Sequence, residues 1–213
     1  MKIFERKPGG ITSKALVLIL ELLAIGLALY IIILPVYPEL SYWFFRPSGD
    51  GGANFDSRDL KEVKIRTEEI LGRLPKSEGR EAVSRIIIPK IGVDAPIIES
   101  PSAEAGLAKG AWREPESSTP DKGGNTVITG HRFKYLPPSN LTFYLLHKLE
   151  PGDIIAVTWE NKNYFYSVEE IKKVQPDDLS ILAPSGSPIL TLYTCDPIYS
   201  QERRLVIKAA LKE

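Results

Sequence analysis

The sequence predicts a mostly β fold, a closed or nearly closed barrel of short strands with short helices, carried behind an N-terminal transmembrane helix. Three observations lead there. From Arg85 onward, short β-branched runs are separated by Pro, Gly, Asn and Asp, which gives seven candidate strands in about 130 residues. The chain holds 17 Pro and 16 Gly, mostly between short apolar runs, and so many turns argue against a helical bundle. Ala15 to Val36 is a stretch of 22 residues broken by one charge, Glu21. At about 1.5 Å per residue it is long enough to cross a hydrocarbon core of roughly 30 Å.

Composition narrows the class further. With 213 residues there is room for one core plus an appendage. A hydrophobic content of 43% excludes a disordered chain, and 27 Lys+Arg against 27 Asp+Glu leave no basic footprint for nucleic acid. One cysteine, Cys195, excludes an internal disulfide, and two histidines, His131 and His147, supply a zinc cage poorly, so no metal is expected.

Taken in order, residues 1–14 form a basic tail, with Lys2, Arg6, Lys7 and Lys14 against Glu5. The next basic residue after the apolar stretch is Arg46, so the positive-inside rule puts the N-terminus in the cytoplasm and the remainder outside the cell. The span, 15–36, exceeds the apolar core of a signal peptide and no small-residue cleavage site follows closely, which favours an uncleaved anchor. Glu21 is read as a tolerated carboxyl. Tyr37, Tyr42, Trp43, Phe44 and Phe45 resemble an interfacial aromatic belt. Residues 37–79 read as a juxtamembrane segment. Its Gly-rich part, Arg46 to Asn54, is a spacer, and Leu60, Val63, Ile70, Leu71 and Leu74 mark an amphipathic helix between Asp56 and Pro75.

The domain proper is expected over 80–213. Its candidate strands are Arg85 to Ile91, Asp94 to Ile98, Asn125 to Thr129, Ile154 to Trp159, Tyr164 to Val174, Ile189 to Thr194 and Arg204 to Leu211. Pro89 and Pro96 cannot donate to a ladder and belong at edges or bulges. Pro151-Gly152-Asp153 reads as a turn and Thr142 to Leu149 as a short helix.

The chemistry begins with the lone thiol. An unpaired cysteine outside the cell is open to oxidation, so its presence asks for a reason. Cys195 ends a strand and precedes Asp196-Pro197, a place where a rigidly held side chain can face a cleft. The competing reading is a small buried hydrophobe. A nucleophilic thiol wants an imidazole, and His131 follows the strand Asn125 to Thr129 through Gly130, whose missing Cβ permits close backbone approach. His147 lies among helix-packing residues and reads as structural. Acyl transfer also needs fixed donors for the developing oxyanion, and Arg204 supplies them if the last strand returns antiparallel to Ile189 to Thr194. Directly opposed residues would then have Cβ atoms roughly 4.5 to 5.5 Å apart. Arg203 should point to the opposite face.

Val127-Ile128-Thr129-Gly130-His131-Arg132, then Thr191-Leu192-Tyr193-Thr194-Cys195, then Arg204-Leu205-Val206-Ile207 resemble the His, Thr-Leu-x-Thr-Cys and Arg motifs of sortases, in the sortase order. Ile86 to Ile91 with Ala95-Pro96-Ile97 is similar to the opening strands of that family, and the likeness covers about residues 85–211. It implies a closed eight-stranded sortase-type β-barrel and a membrane-anchored cysteine transpeptidase. Such an enzyme cuts a Leu-Pro-x-Thr-Gly-like C-terminal sorting signal of a secreted protein between Thr and Gly. It then passes the acyl group to an amine, a peptidoglycan cross-bridge or a pilin Lys. By the same resemblance His131, Cys195 and Arg204 are catalytic, Thr194 and Gly130 belong to the substrate side, and no cofactor is required.

Departures from the family pattern refine the expectation. The segment before the barrel lacks the Asp-Pro-aromatic lid motif of pilin-polymerising class C enzymes, and the loop Asp196 to Arg203 is short, which resembles classes D and E. That loop and Glu169 to Pro184 are expected to read the substrate. Two other readings stand beside this one. An L,D-transpeptidase also uses Cys, His and Arg, but sets its cysteine in a Ser-x-Gly-Cys context absent here. A non-catalytic anchored β-domain would keep its effect in Cys195→Ala.

Overall fold

The structure, a computed structural model, describes residues 13–45, 84–134 and 140–212, and the chain divides into two compact units, Met1–Tyr37 and Pro38–Glu213. Helix α1 runs Ser13–Phe45. Its stretch Ser13–Leu34 is long and apolar enough to cross a membrane, and none of it is buried against protein. So many bare Leu and Ile side chains are unfavourable in water and at home in hydrocarbon. The helix continues beyond the expected span 15–36, to Phe45. The 33 residues of α1 extend about 50 Å, well past a hydrocarbon core. Pro35 and Pro38 each remove a backbone donor without ending it. The glycine-rich spacer, the amphipathic helix expected between Asp56 and Pro75 and the boundary at residue 80 lie outside the described residues.

The second unit is a closed barrel of eight strands. In chain order these are β1 Arg85–Ile88, β2 Val93–Ile98, β3 Ala111–Arg113, β4 Asn125–Thr129, β5 Ile154–Trp159, β6 Lys162–Val174, β7 Ile189–Asp196 and β8 Arg203–Lys212. Around the barrel they run β1-β2-β3-β4-β7-β8-β6-β5. Two neighbour pairs, β2 with β3 and β4 with β7, are parallel, and the other pairs are antiparallel. Closure leaves no edge for a second chain to pair with.

The sequence reading differs from this in four places. The first strand stops at Ile88, because Pro89 opens a 3-10 turn that ends on Gly92 at a φ of +67°, a conformation that costs glycine nothing. β3 was not expected: its three residues are too few to show an alternation. Helix α2, Ala103–Leu107, was also not expected, although Ser102 caps it by accepting from the Ala105 N–H. The helix expected over Thr142 to Leu149 contracts to a 3-10 turn at Leu146–Lys148.

Alternation along the strands sorts side chains between the barrel interior and its outer face. Leu190, Leu192, Leu205, Ile207, Ala209 and Ile128 fill the interior together with Phe143, Leu146 and Tyr166. Their neighbours Asn125, Thr129, Thr191, Tyr193, Cys195 and Arg204 therefore fall on the outer face. The site is built there.

Candidate active site

Cys195 stands opposite Arg204 in the antiparallel β7–β8 register, the cross-strand pairing inferred from the hairpin. Parallel pairing of β4 with β7 sets Thr129 beside Tyr193, and the Gly130 N–H donates to the Tyr193 carbonyl at 3.4 Å. The chain thus enters His131 alongside Cys195. Cys195, His131 and Arg204 all line one cavity of about 270 Å³, with Gly130, Thr129, Tyr193 and Glu114. The sulfur is partly exposed. It is not the buried hydrophobe of the competing reading.

The remaining walls come from two segments. One is α2, which contributes Ala103 and Leu107 and packs so closely on Trp112 that a Cβ at Gly106 would lie 2.2 Å from Trp112 Cδ1. The other is Pro176 to Leu182, which brings Pro176, Asp178, Leu179, Ile181 and Leu182. Of the expected reader segment Glu169 to Pro184, the part through Val174 is strand β6 and the cavity is reached by the 3-10 turn Leu179–Leu182.

A buried amide holds that turn. Asn125 Nδ2 donates to the carbonyls of Ile181 and Ala183, both at 3.0 Å, while its Oδ1 accepts from Thr191 Oγ1 at 2.7 Å. With both N–H groups and the oxygen engaged, the side chain repays its desolvation and ties the wall to β4 and β7.

Electrostatics divide the groups by role. The pKa of His131 lies below the ordinary histidine value, first because burial penalises the imidazolium and then because of the nearby Lys134 charge. Arg204 Nη1 donates to the carbonyls of Gln201 and Arg203 at 3.3 and 3.2 Å, which leaves Nη2 and Nε of the fork for a ligand. Tyr193 donates its hydroxyl to Glu114, and its phenol is pushed above the usual range by burial and by that carboxylate. Among the described residues, no group of three His, Cys, Asp or Glu is placed to hold a metal ion.

Thr194 and Gly130 do not both face the substrate side. Gly130 lines the cavity, but Thr194 is 1% exposed and its Oγ1 donates to the Gly130 carbonyl at 2.8 Å. It points inward by the alternation that aims Cys195 outward. Arg203 is exposed on the other face, as expected. The reading of the residues missed Glu114, Tyr193, Trp112 and the α2 wall, whereas the other wall lies within the expected segment Glu169 to Pro184. The Ser102 cap before Ala103-Glu104-Ala105 was the one local signal for α2. The Asn125 clamp leaves none, since its partners lie 56 and 58 residues away.

The barrel and its cavity have known counterparts. A family profile described as the sortase domain matches residues 86–212. Sortase SrtE1 of Streptomyces coelicolor is 27% identical over 197 residues, covering 85% of this chain and 54% of that protein. The crystal structure of Sortase E1 from Streptomyces coelicolor with a tripeptide in the active site has a TM-score of 0.55 at 26% identity, covering 62% of this chain and 89% of that one. Sortase C1 of Pilus Island 1 from group B Streptococcus has a TM-score of 0.56 at 27% identity, covering 73% and 82%. The chain spans 54% to 64% of the length of curated relatives such as these. An eight-stranded barrel that brings His131, Cys195 and Arg204 to one cavity, and a profile match running from β1 to the end of β8, place this chain in the sortase family.

Proposed function

We propose that the chain is a membrane-anchored cysteine transpeptidase that cleaves a Leu-Pro-x-Thr-Gly-like sorting signal between Thr and Gly and joins the acyl group to an amine. The observation that carries this reading is the facing of Cys195 and Arg204 in register on a cavity that His131 also lines. The Cys195 thiolate attacks the Thr carbonyl, and Arg204 donors hold the oxyanion. His131, as imidazolium, gives its proton to the departing glycine amine, and the depressed imidazole pKa makes that transfer easier. The C–N bond is then broken and a thioester remains. An incoming amine attacks it, neutral His131 takes the amine's proton, and the thiolate leaves to restore the site.

The apolar helix Ser13–Leu34 serves as the anchor, with the N-terminus cytoplasmic and the barrel outside the cell, and the tail, span, linking segment and domain fall at 1–14, 15–36, 37–79 and 80–213. Substrates are secreted proteins bearing the signal, and the acceptor is a peptidoglycan cross-bridge or a pilin Lys. The loop between β7 and β8 is only residues 197–202, and the Asp-Pro-aromatic lid motif is missing from the sequence. Both support a class D or E rather than a pilin-polymerising enzyme.

The test incubates the full chain in detergent with a panel of such peptides and an amine. The wild type forms the amide product and an acyl adduct on Cys195 seen by intact mass, and Cys195→Ala abolishes both. Peptide turnover that survives Cys195→Ala would overturn the reading.

A further inference from the structure

The last turns of α1, from Pro38 onward, belong to the same compact unit as the barrel, and two of their residues contact it. Glu39 and Tyr42 are three apart and so share one face of the helix. Glu39 Oε1 lies 3.0 Å from His147 Nε2, and its Oε2 lies 2.8 Å from Lys148 Nζ. The Lys148 ammonium sits 5.7 Å from the centroid of the Tyr42 ring. Tyr42, half-buried, packs against the barrel core, while Trp43 and Phe44 beside it are 76% and 81% exposed. The face that carries Glu39 and Tyr42 is therefore committed to the barrel.

The turn held by Glu39 is also the turn that holds His131. The Phe143 N–H donates to the His131 carbonyl at 2.9 Å, and the Phe143 ring fills the space at Gly130, where a Cβ would lie 2.9 Å from Phe143 Cγ. The Leu146 N–H donates to the Phe143 carbonyl at 3.1 Å, so Phe143 and the 3-10 turn Leu146–Lys148 form one piece. From that turn His147 Nδ1 lies 3.0 Å from Nη2 of Arg132, the residue after His131. A guanidinium only donates, so Nδ1 accepts, and the imidazole is neutral with its proton on Nε2, facing Glu39. The Glu39 carboxylate thus fixes the tautomer that Arg132 requires. Arg132 is 4% exposed, and its Nε and Nη1 have no hydrogen-bond partner among the described residues, so its orientation rests on His147.

We propose that Glu39, at the end of α1, is a positioning residue for the reaction: by clamping His147 and Lys148 it sets the turn that holds the backbone of His131 and the side chain of Arg132. The proposal rests on the reading that His131 moves the proton between the sulfur's substrate and the amine. A proton-transfer group displaced by about 1 Å loses much of its rate even where the peptide binds as before. The cavity walls, α2 and Pro176 to Leu182, take no part in these contacts, so the effect falls on kcat rather than on KM. Glu39 lies outside the closed ladder, so its loss leaves the frame of the barrel in place.

The test measures peptide transfer and amide hydrogen exchange on the full chain in detergent, as wild type, E39A, K148A, E39A/K148A and the charge exchange E39K/K148E. E39A lowers kcat about tenfold while KM stays within about twofold. In the same variant the amides of 143–149 exchange about tenfold faster, and those of β7 and β8 keep their rates. K148A acts in the same direction by less, because His147 still holds Glu39, and E39A/K148A is no worse than E39A. E39K/K148E restores part of the kcat that E39K alone loses. A folded E39A with wild-type kcat overturns the proposal, as does a loss that lies in KM at unchanged kcat, or losses that simply add in the double variant. If E39A does not fold, a K148A with wild-type kcat overturns it. Exchange needs no peptide turnover, so faster exchange over 143–149 in E39A, in a chain whose wild type transfers no acyl group, would sink the transpeptidase reading and leave the clamp standing.

Discussion

At the residue scale, the depressed imidazole of His131 makes a signed prediction. Burial and then the Lys134 charge disfavour its protonated form, so the unfolded chain binds the proton more readily, and stability rises with pH through the window between the depressed value and the ordinary histidine value of about 6.5. In the Cys195→Ala background, where no sulfur charge intrudes, imidazole NMR should give both histidines midpoints below about 6.5. Lys134→Gln should move the His131 midpoint upward and leave His147, whose main causes are burial and Arg132, nearly in place. A His131 midpoint at or above the ordinary value would contradict the account. Residues at this scale were unevenly legible. Cys195 and Arg204 could be paired from sequence because a short hairpin fixes register locally. The inward turn of Thr194 follows from the same alternation once Cys195 is aimed outward, and the family motif hides it by listing the two side by side.

Among the elements, the long β-branched strands were legible and the short or irregular pieces were not. β6 and β8 carry enough residues for period and turn signals to show, whereas β3 has three and the wall at Leu179–Leu182 is a single 3-10 turn. That wall is capped locally, where Asp178 accepts from the Ser180 N–H, and is tied to the barrel by Asn125. Replacing Asn125 by Ala would leave the Ile181 and Ala183 carbonyls and the Thr191 hydroxyl without their partner. The cost is about 1–3 kcal/mol for each polar group left buried and unpaired, read as a lower Tm. Because the freed turn lines the cavity and carries no reacting group, KM for the peptide should rise several-fold with kcat little changed. A fall in kcat at constant KM would instead place Asn125 with the reacting groups.

For the whole molecule, function depends on a seam that joins distant parts of the chain. The parallel β4–β7 pairing joins residues 64 apart in sequence, as in Asn125 with Ile189, and it is this seam that brings His131 to Cys195. Composition and period could announce a barrel but not the strand order around it, because parallel neighbours leave no turn in the sequence to mark them. Once closed, the barrel separates two grades of stability. Its staves β4, β7 and β8 present Val127, Ile128, Leu190, Leu192, Val206 and Ile207 with no exposed surface at all, so their amides open only with global unfolding. The cavity walls rest on few contacts: Leu179 is 72% exposed, and residues 197–202 connect β7 to β8 outside the ladder. Hydrogen exchange on the full chain in detergent should find β4, β7 and β8 the slowest segments and 176–182 and 197–202 orders of magnitude faster. A bound substrate peptide should slow the wall segments without altering the staves, because binding shields the exposed walls and leaves the closed ladder as it was. Walls as protected as β7 before peptide is added would mean that the cavity is preformed throughout, and signal preference would then have to be sought in side chains rather than in loop closure.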